Sequence, residues 1–226
     1  MSLRIVSIFD SVDGEANAFA GAGQPSTFIR LAGCNLRCSF CDTKYSYGDG
    51  LEMGLDQAVE QVRLPHVTIT GGEPLLQAAD VRTLCQALVV GGKTVTIETN
   101  GTIRPFDRVP DLRGNVRFVM DRKPPSAQVV DLSYEMRWQH AFYGLGPLDL
   151  VKFVVADDVD LRAALKVRDW FWRSGGDQPR RVYSPVWGIM DPGDLAEWVI
   201  RNDPLGQFSL QIHKVIWPNV GQGEER

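Results

Sequence analysis

The chain has 226 residues, of which 44% are hydrophobic and 23% are charged, and its formal net charge is −4. This composition is typical of a globular protein of one large or two small domains. No apolar run approaches the roughly 18 residues that a membrane-spanning helix needs. The acidic balance argues against bulk nucleic-acid binding, which usually requires a basic surface. We therefore expect a small-molecule ligand and neither nucleic acid nor membrane as partner.

Short apolar runs alternate with helical stretches along the chain. In chain order, the pattern predicts strands at residues 4–9, 26–32, 66–70, 93–98, 116–120, 150–155, 181–184 and 209–212. It predicts helices at residues 55–62, 78–90, 132–141, 159–172 and 194–201. Strands that alternate with helices indicate parallel βαβ units. We expect an α/β fold in which residues 1–226 form a single domain, an open or partial TIM-like (β/α) barrel.

Several polar or glycine-rich segments follow directly after predicted strands. They are the loop after residue 32, the pair Gly71 and Gly72, the pair Thr99 and Asn100, and Asp121. Because ligands collect at the carboxyl ends of parallel strands, these segments are predicted to share one rim of the barrel.

Three of the four cysteines, Cys34, Cys38 and Cys41, have the spacing C-x3-C-x2-C. Closely spaced cysteines hold iron–sulfur clusters. A cubane cluster has four irons, so three cysteine ligands leave one iron open to another molecule. The spacing therefore predicts a 4Fe-4S cluster that takes part in chemistry rather than in simple electron storage.

The cysteines also admit other interpretations. Structural zinc normally has four Cys or His ligands, and none of the three histidines is close to the triplet in sequence. A thioredoxin-like motif would need only Cys38 and Cys41. Sparse cysteines and no visible signal peptide disfavour a disulfide framework, and reduced cysteines predict a cytoplasmic location. Cys85 lies in an amphipathic helix and is predicted to be a small buried hydrophobe.

A glycine-rich turn follows the predicted strand at residues 66–70. Gly71 and Gly72 can adopt positive φ and let the backbone approach a ligand closely. Alone, this turn and the following Glu73 are no more than an ordinary βα connection. Together with the cysteine triplet, and with the aromatic Phe40 just before the third cysteine, they resemble the radical S-adenosylmethionine (SAM) superfamily.

The resemblance implies that the open iron binds the amino and carboxylate groups of SAM. An electron from the cluster then cleaves SAM to a 5′-deoxyadenosyl radical, so an electron donor such as flavodoxin is an expected partner. The residues implied as SAM contacts lie at successive strand ends: Gly71, Gly72, Glu73, Asn100, Asp121, Lys123 and Ser184.

The specific reaction depends on residues outside the common core of that superfamily, and three features stand out: residues 11–15, residues 28–34 leading into the cysteine loop with residues 41–43 closing it, and residues 211–218. Together they resemble the 7-carboxy-7-deazaguanine synthase family, which are lyases of 7-deazapurine (queuosine) biosynthesis. The family converts 6-carboxy-5,6,7,8-tetrahydropterin to 7-carboxy-7-deazaguanine with loss of ammonia. It uses SAM catalytically with the help of Mg²⁺. Its members are usually homodimers, which we expect here too.

The family resemblance also implies contacts with the pterin substrate. They are Val12, Asp13, Gly14, Glu15, Arg30, Thr70 and His213. The family commonly has Gln where this chain has Asp13. A guanidinium fork matches a carboxylate, so Arg30 is the expected substrate clamp, with a surface ion pair as the alternative.

Two further residues have a role by resemblance and an ordinary alternative. Thr43 occupies the position of a magnesium ligand, and Mg²⁺ prefers oxygen ligands, but the residue could also cap a helix. His213, expected at a strand end, is either a substrate contact or a structural histidine. In relatives the C-terminus reaches the active site, and for this chain that point stays open.

Competing functions share part of the pattern. A glycyl-radical-enzyme activase has the same cysteine spacing and a similar glycine turn, but it acts on a large protein. A non-catalytic zinc-binding protein is the alternative from a different class. A tRNA-binding enzyme is disfavoured by the net charge of −4.

Overall fold

The computed structural model describes residues 1–19, 21–108, 112–174 and 178–218, with the side chains of residues 172–174 excepted. The strands are β1 (Ser2–Val12), β2 (Pro25–Leu31), β3 (Leu51–Gly54), β4 (His66–Gly71), β5 (Thr94–Thr99), β6 (Val116–Arg122), β7 (Leu150–Val155), β8 (Arg180–Pro185) and β9 (Gln207–Phe208). The α-helices are α1 (Leu55–Glu60), α2 (Ala78–Val90), α3 (Leu132–Phe142), α4 (Asp158–Ser174), α5 (Pro192–Asn202) and α6 (Ile212–Ile216). Short 3₁₀ helices include Lys44–Tyr47, Pro74–Gln77 and Pro125–Ala127.

The nine strands form one sheet in the order β3-β1-β2-β4-β5-β6-β7-β8-β9. Neighbours from β2 to β9 are parallel, whereas β1 pairs antiparallel with both β2 and β3. The first and last strands of this order do not pair with each other, so the sheet stays open. The predicted partial barrel is confirmed. Its antiparallel edge arises because β1 returns to β2 through a loop without a crossover helix.

The parallel strands are buried on both faces, as their β-branched and apolar sequences require. In β4 every residue except the terminal Gly71 is buried. One apolar cluster packs β2, β4 and β5 against α1 and α2, and a second packs β6, β7 and β8 against α3, α4 and α5. The second cluster includes the stacked rings of Trp138, Phe142 and Phe171.

Residues 13–19, here called the interior segment, cross the inside of the open barrel between β1 and β2. Ala16 and Ala18 are buried against apolar side chains of β6, β7 and β8. The Ala18 carbonyl accepts hydrogen bonds from Arg117 and Arg180 at 2.7 and 2.9 Å. This packing fixes the residues just after β1 inside the barrel.

The structure differs from the predicted elements near the C-terminus and at one edge of the sheet. The predicted strand at residues 209–212 is wrong, because β9 ends at Phe208 and α6 begins at Ile212. The Ile212 amide donates to the Gly14 carbonyl at 2.6 Å, so the chain leaves the sheet to bond the interior segment. The edge strand β3 was missed, whereas Cys85 is fully buried as predicted. None of the helices within the described ranges combines the length and apolar character needed to cross a membrane.

Candidate active site

A cavity of about 710 Å³ opens at the carboxyl ends of the parallel strands. Its volume lies within the range of about 300–1,000 Å³ that is usual for small-molecule sites. Of the predicted site residues, only Glu73 and Ser184 do not line it. The predicted residues that do are Val12, Asp13, Gly14, Glu15, Arg30, Cys34, Cys38, Cys41, Thr43, Thr70, Gly71, Gly72, Asn100, Asp121, Lys123 and His213.

The three clustered cysteines are half-buried and lie on one loop between β2 and β3. The Leu36 amide and the Asn100 side-chain amide approach Cys34 Sγ at 3.5 and 3.8 Å. Burial raises the pKa of Cys34 and of Cys38, so their thiolates need an electrophilic partner. Iron–sulfur clusters are held by such soft thiolates, and this donor set fits one.

No group of three His, Cys, Asp or Glu side chains within the described ranges converges closely enough to hold a single metal ion. Cys34, Cys38 and Cys41 line one cavity from a single loop, so they could surround a body of several atoms such as a cluster.

Gly71 and Gly72 are required by the backbone that passes beside them. A Cβ on Gly71, whose φ is +129°, would lie 2.1 Å from the Leu31 carbonyl oxygen. A Cβ on Gly72 would lie 1.9 Å from the Gly33 carbonyl oxygen. The sequence suggested close approach to a ligand, but the close approach seen here is to the end of β2 and the start of the cysteine loop. The glycines thus join β4 to that loop.

The Glu73 carboxylate is fully buried beside this turn and holds two strand ends together. It accepts hydrogen bonds from the Leu75 amide, the Thr99 hydroxyl and the Asn100 amide at 2.6–2.9 Å. Burial raises the pKa of Glu73 to about 7. The Asn100 side chain continues to Asn35 in the cysteine loop at 2.9 Å. Glu73 therefore organises the rim from below the cavity.

Ser184 lies on β8 and is fully buried. Its hydroxyl has no hydrogen-bond partner in this structure, and it does not line the cavity. Its predicted contact with SAM would require the hydroxyl to be reached from the cavity side of β8.

A charged network centred on Lys152 forms the cavity floor. Its ammonium lies 2.6 Å from Glu15 and 3.2 Å from Asp121, and Asp121 also pairs with Lys123 at 2.6 Å. The Gln211 side-chain amide donates to Glu15 at 2.5 Å. Burial alone would raise the pKa of Glu15, but Lys152 and Gln211 outweigh it and lower that pKa. Glu15 is therefore held as a carboxylate facing the cavity.

Two charged residues of this floor, Lys152 and Glu98, were not expected from the sequence. Lys152 sits inside the otherwise apolar strand β7, and Glu98 lies near the end of β5. The Thr70 hydroxyl donates to Glu98 at 2.7 Å. Burial raises the pKa of Glu98, and Lys152 partly offsets this. A charged residue within a buried strand was the available signal for both.

Asp13 belongs to a polar network beneath the cavity. Its carboxylate accepts hydrogen bonds from the Thr68 hydroxyl, at 2.9 Å, and from the Asn17 amide. His66 Nε2 lies 3.8 Å from the same carboxylate. Burial raises the pKa of Asp13 to about 7 and lowers that of His66 to about 4. Both carboxylate oxygens are thus engaged by the protein itself.

Arg30 and Thr43 lie on the β1–β2 and cysteine-loop side of the cavity. The Arg30 guanidinium carbon is 5.6 Å from the ring centroids of both Phe9 and Tyr45. Thr43 precedes the 3₁₀ helix Lys44–Tyr47, but its side chain makes no capping hydrogen bond. Its hydroxyl instead lies 3.6 Å from Cys41 Sγ.

The C-terminal segment forms the remaining wall. His213 lies in α6 rather than at the predicted strand end, and a Cβ on Gly14 would be 1.7 Å from its Nδ1. The Lys214 ammonium lies 2.8 Å from Gln211 Oε1. Trp217 and Pro218 also line the cavity, and residues 219–226 fall outside the described ranges. The segment as far as Pro218 therefore borders the site.

Known proteins resemble this chain in sequence and fold. The Radical SAM superfamily matches residues 28–121. A 7-carboxy-7-deazaguanine synthase of Methanospirillum hungatei is 40% identical over 217 residues, which cover 95% of this chain and 85% of the relative. One of Thermoplasma acidophilum is 36% identical over 223 residues, covering 96% and 99%. The crystal structure of QueE from Escherichia coli matches with a TM-score of 0.68 at 20% identity, covering 93% of this chain and 94% of that chain.

Proposed function

The chain belongs to the 7-carboxy-7-deazaguanine synthase family of radical SAM enzymes, and from this premise we propose how its cavity serves that reaction. The substrate is 6-carboxy-5,6,7,8-tetrahydropterin, and the products are 7-carboxy-7-deazaguanine and ammonia. The supporting observation is that the cysteine triplet, the Gly71–Gly72 turn, Glu15 and Arg30 line one cavity. Because the chain belongs to this family, we no longer retain the glycyl-radical-enzyme activase and the zinc-binding protein as alternatives.

Cys34, Cys38 and Cys41 would hold the 4Fe-4S cluster. SAM would lie against Gly71, Gly72 and the neighbouring strand ends. When bound, the cluster and SAM supply the one-electron chemistry that removes a hydrogen atom from the substrate. The protein must orient the substrate carbon–hydrogen bond and exclude water. The remaining SAM contacts are proposed to be Asn100, Asp121 and Lys123, with Glu73 and Ser184 behind them.

Arg30 and Glu15 are proposed to fix the two ends of the pterin. The Arg30 guanidinium would bind the substrate carboxylate bidentately, and the Phe9 and Tyr45 rings would hold its plane. The Glu15 carboxylate would accept from the N–H groups of the pterin edge, because Lys152 keeps it ionised. Together these contacts would determine which hydrogen faces the SAM side of the cavity.

The remaining predicted substrate contacts have separate proposed roles. The Thr70 hydroxyl, oriented by Glu98, would add a contact beside the glycine turn. Val12 and the backbone at Asp13 and Gly14 would border the pterin ring. His213, which lies in α6, would cover the other side of the pterin and would help to exclude water.

Thr43 is the proposed protein ligand of Mg²⁺. The ion prefers oxygen ligands and keeps several waters, so one hydroxyl together with substrate oxygens would satisfy it. The proposal is supported by the fact that the Thr43 side chain does not cap the following 3₁₀ helix, to which it makes no hydrogen bond. Mg²⁺ near the substrate carboxylate would stabilise the charge that shifts during ring contraction.

The enzyme needs a reductant, for which we propose a small electron-transfer protein such as flavodoxin. We propose a cytoplasmic location, because clustered thiols stay reduced in that compartment. We also propose a homodimer of single-domain copies, as the family resemblance implies.

The direct test is anaerobic reconstitution with iron and sulfide, followed by SAM, Mg²⁺, reductant and the carboxypterin. We expect a deazaguanine product with most SAM unconsumed. Replacing the three clustered cysteines by Ala should abolish iron binding, whereas Cys85→Ala should bind iron normally. Cleavage of SAM without this product would point to another substrate, and zinc without iron would contradict the cluster.

A further inference from the structure

The cysteine loop is hydrogen-bonded to a turn on the opposite side from Asn100. Ser39, which lies between Cys38 and Cys41, donates from its amide to the Ala127 carbonyl at 3.0 Å. Its hydroxyl donates to the Ser126 carbonyl at 2.7 Å. Both acceptors belong to the 3₁₀ helix Pro125–Ala127, which follows β6. The position of the cysteine loop thus depends on where this turn is held.

Asp160 of α4 holds the turn. One oxygen of its carboxylate accepts from the Ser126 amide at 3.0 Å, and the other accepts from the Ser126 hydroxyl at 2.5 Å. The Ala156 amide, at the end of β7, donates to the same carboxylate at 2.9 Å. Asp160 is only 1% exposed. A buried carboxylate with three donors is a strong and directional anchor.

The helix does not need Asp160 as its cap. Asp157, one turn earlier and exposed, accepts hydrogen bonds from the Val159 and Asp160 amides at 2.8 and 3.0 Å. In addition, Gln128 closes the turn with φ +58°, a left-handed conformation that is uncommon for residues other than glycine. Asp160 therefore serves the turn rather than its own helix.

We propose that Asp160 is a positioning residue for the iron–sulfur cluster, acting through Ser126 and Ser39 on the cysteine loop. The inference rests on the proposed cluster and goes beyond it, because Asp160 lies outside the cavity and is far from the cysteines in sequence. It joins the end of β7 and the start of α4 to the segment between Cys38 and Cys41. The same turn directly follows Lys123 at the end of β6. It would therefore fix the position of the cluster relative to that strand end.

The test compares the anaerobically reconstituted wild-type protein with Asp160→Asn and with Asp157→Asn as matched control. Asn keeps the size of Asp160 but replaces one acceptor oxygen by a donor, which faces the Ser126 or Ala156 amide. We expect Asp160→Asn to lose iron to a chelator about tenfold faster, which corresponds to the lower end of the loss in metal affinity caused by changing residues around metal ligands. The electron paramagnetic resonance signal of the reduced cluster should also change on Asp160→Asn. Asp157→Asn should keep both the wild-type rate and the wild-type signal.

A second variant covers the case in which Asp160→Asn does not fold. Ser39→Ala changes an exposed side chain and removes one hydrogen bond to the turn, so it should release iron faster in the same direction. Wild-type rates and spectra in the foldable variants, or equal acceleration by Asp157→Asn, would overturn the positioning role. Wild-type protein that binds no iron would instead remove the proposed cluster itself.

Discussion

At the residue scale, the lack of a side chain at Gly14 lets two segments that are distant in sequence pack closely together. The His213 ring occupies the space where a Cβ of residue 14 would stand, and the Ile212 amide bonds the Gly14 carbonyl. Residues 14 and 213 are far apart in sequence, so the need for glycine here is not visible as a turn signal. It follows from the packing of α6 on the interior segment.

Gly14→Ala should displace α6 from the cavity wall. The added methyl group would lie 1.7 Å from His213 Nδ1, so the ring and its helix must move. We expect the KM for the carboxypterin to rise about tenfold, equivalent to about 1.4 kcal/mol. Gly48→Ala is the control, because a Cβ there meets no atom within 4 Å. Unchanged kinetics in Gly14→Ala would show that α6 does not shape the substrate site.

Arg30→Lys tests the proposed carboxylate clamp. Lys keeps the charge but loses the planar fork and its stacking between Phe9 and Tyr45. Hydrogen bonds to charged groups contribute about 1.5–3 kcal/mol, so substrate affinity should fall about 10- to 100-fold. Binding of SAM, measured separately, should change little. The control Arg137→Lys, exposed on α3, should bind the substrate like wild type. Equal substrate affinity in the two variants would contradict the proposed role of Arg30 as carboxylate clamp.

At the scale of elements, the ends of β5, β6 and β7 and the interior segment share one charged network. Lys152 compensates Glu15 and Asp121 directly and partly offsets the rise that burial causes in the pKa of Glu98. Asp121 and Lys123 form a local pair, but Glu15 meets its cation in another element, at Lys152 of β7. The charge of Glu15 is therefore compensated when β7 is paired beside β6 and the interior segment lies across both.

Lys152→Met should destabilise the protein by about 3–5 kcal/mol, because it leaves buried carboxylates without their cation. Urea unfolding under anaerobic conditions measures this loss. Adding Glu15→Gln to Lys152→Met should restore part of the stability, since one of the uncompensated charges is then gone. The control Lys166→Met, exposed on α4, should stay within about 0.5 kcal/mol of wild type. A similarly small effect of Lys152→Met would contradict the network.

Elements were predictable where periodicity and strand composition agreed. The buried strands β4, β5 and β7 and the helices α2 and α5 lie where the pattern placed them. The segment after Phe208 was not predictable, because its alternation of polar and apolar residues also suits a strand. A hydrogen bond from Ile212 to Gly14 decided its conformation. That competing partner lies nearly two hundred residues away in sequence.

At the scale of the whole molecule, the barrel interior is polar beneath the cavity. Asn17 of the interior segment bonds both Asp13 and the His66 ring, and His66 also bonds Thr94 at 2.6 Å. The same segment packs Ala16 and Ala18 against β6, β7 and β8, and Asp13, Asn17 and His66 are buried. Burial of this network should make stability depend on pH.

The stability of wild type relative to Asp13→Asn should fall as the pH rises. The pKa of Asp13 is raised from 3.8 to about 7 by burial, so the folded protein binds this proton more tightly than the unfolded chain. Its contribution is fully present below about pH 4 and is lost as the pH rises through about 7. The change should be on the order of 4 kcal/mol in urea unfolding, because each pKa unit corresponds to about 1.4 kcal/mol. The exposed Asp56→Asn should show no such slope, and a flat difference for Asp13 would contradict its burial as an acid.

The sequence by itself determined the chemistry of this protein. The spacing of Cys34, Cys38 and Cys41 is local, because three ligands on one loop need no distant partner. The glycine turn and the α/β alternation are local for the same reason, so the family and the open barrel could be predicted.

Only the tertiary structure decided which side chains face one another across the cavity. Lys152 meets Glu15, His213 packs on Gly14, and Asp160 holds the turn beside Ser39. The raised pKa of Asp13 and the structural need for glycine at position 71 also depend on neighbours brought together by strand order. Contacts across an open sheet join residues that no window of sequence contains, and burial among those neighbours sets their charge.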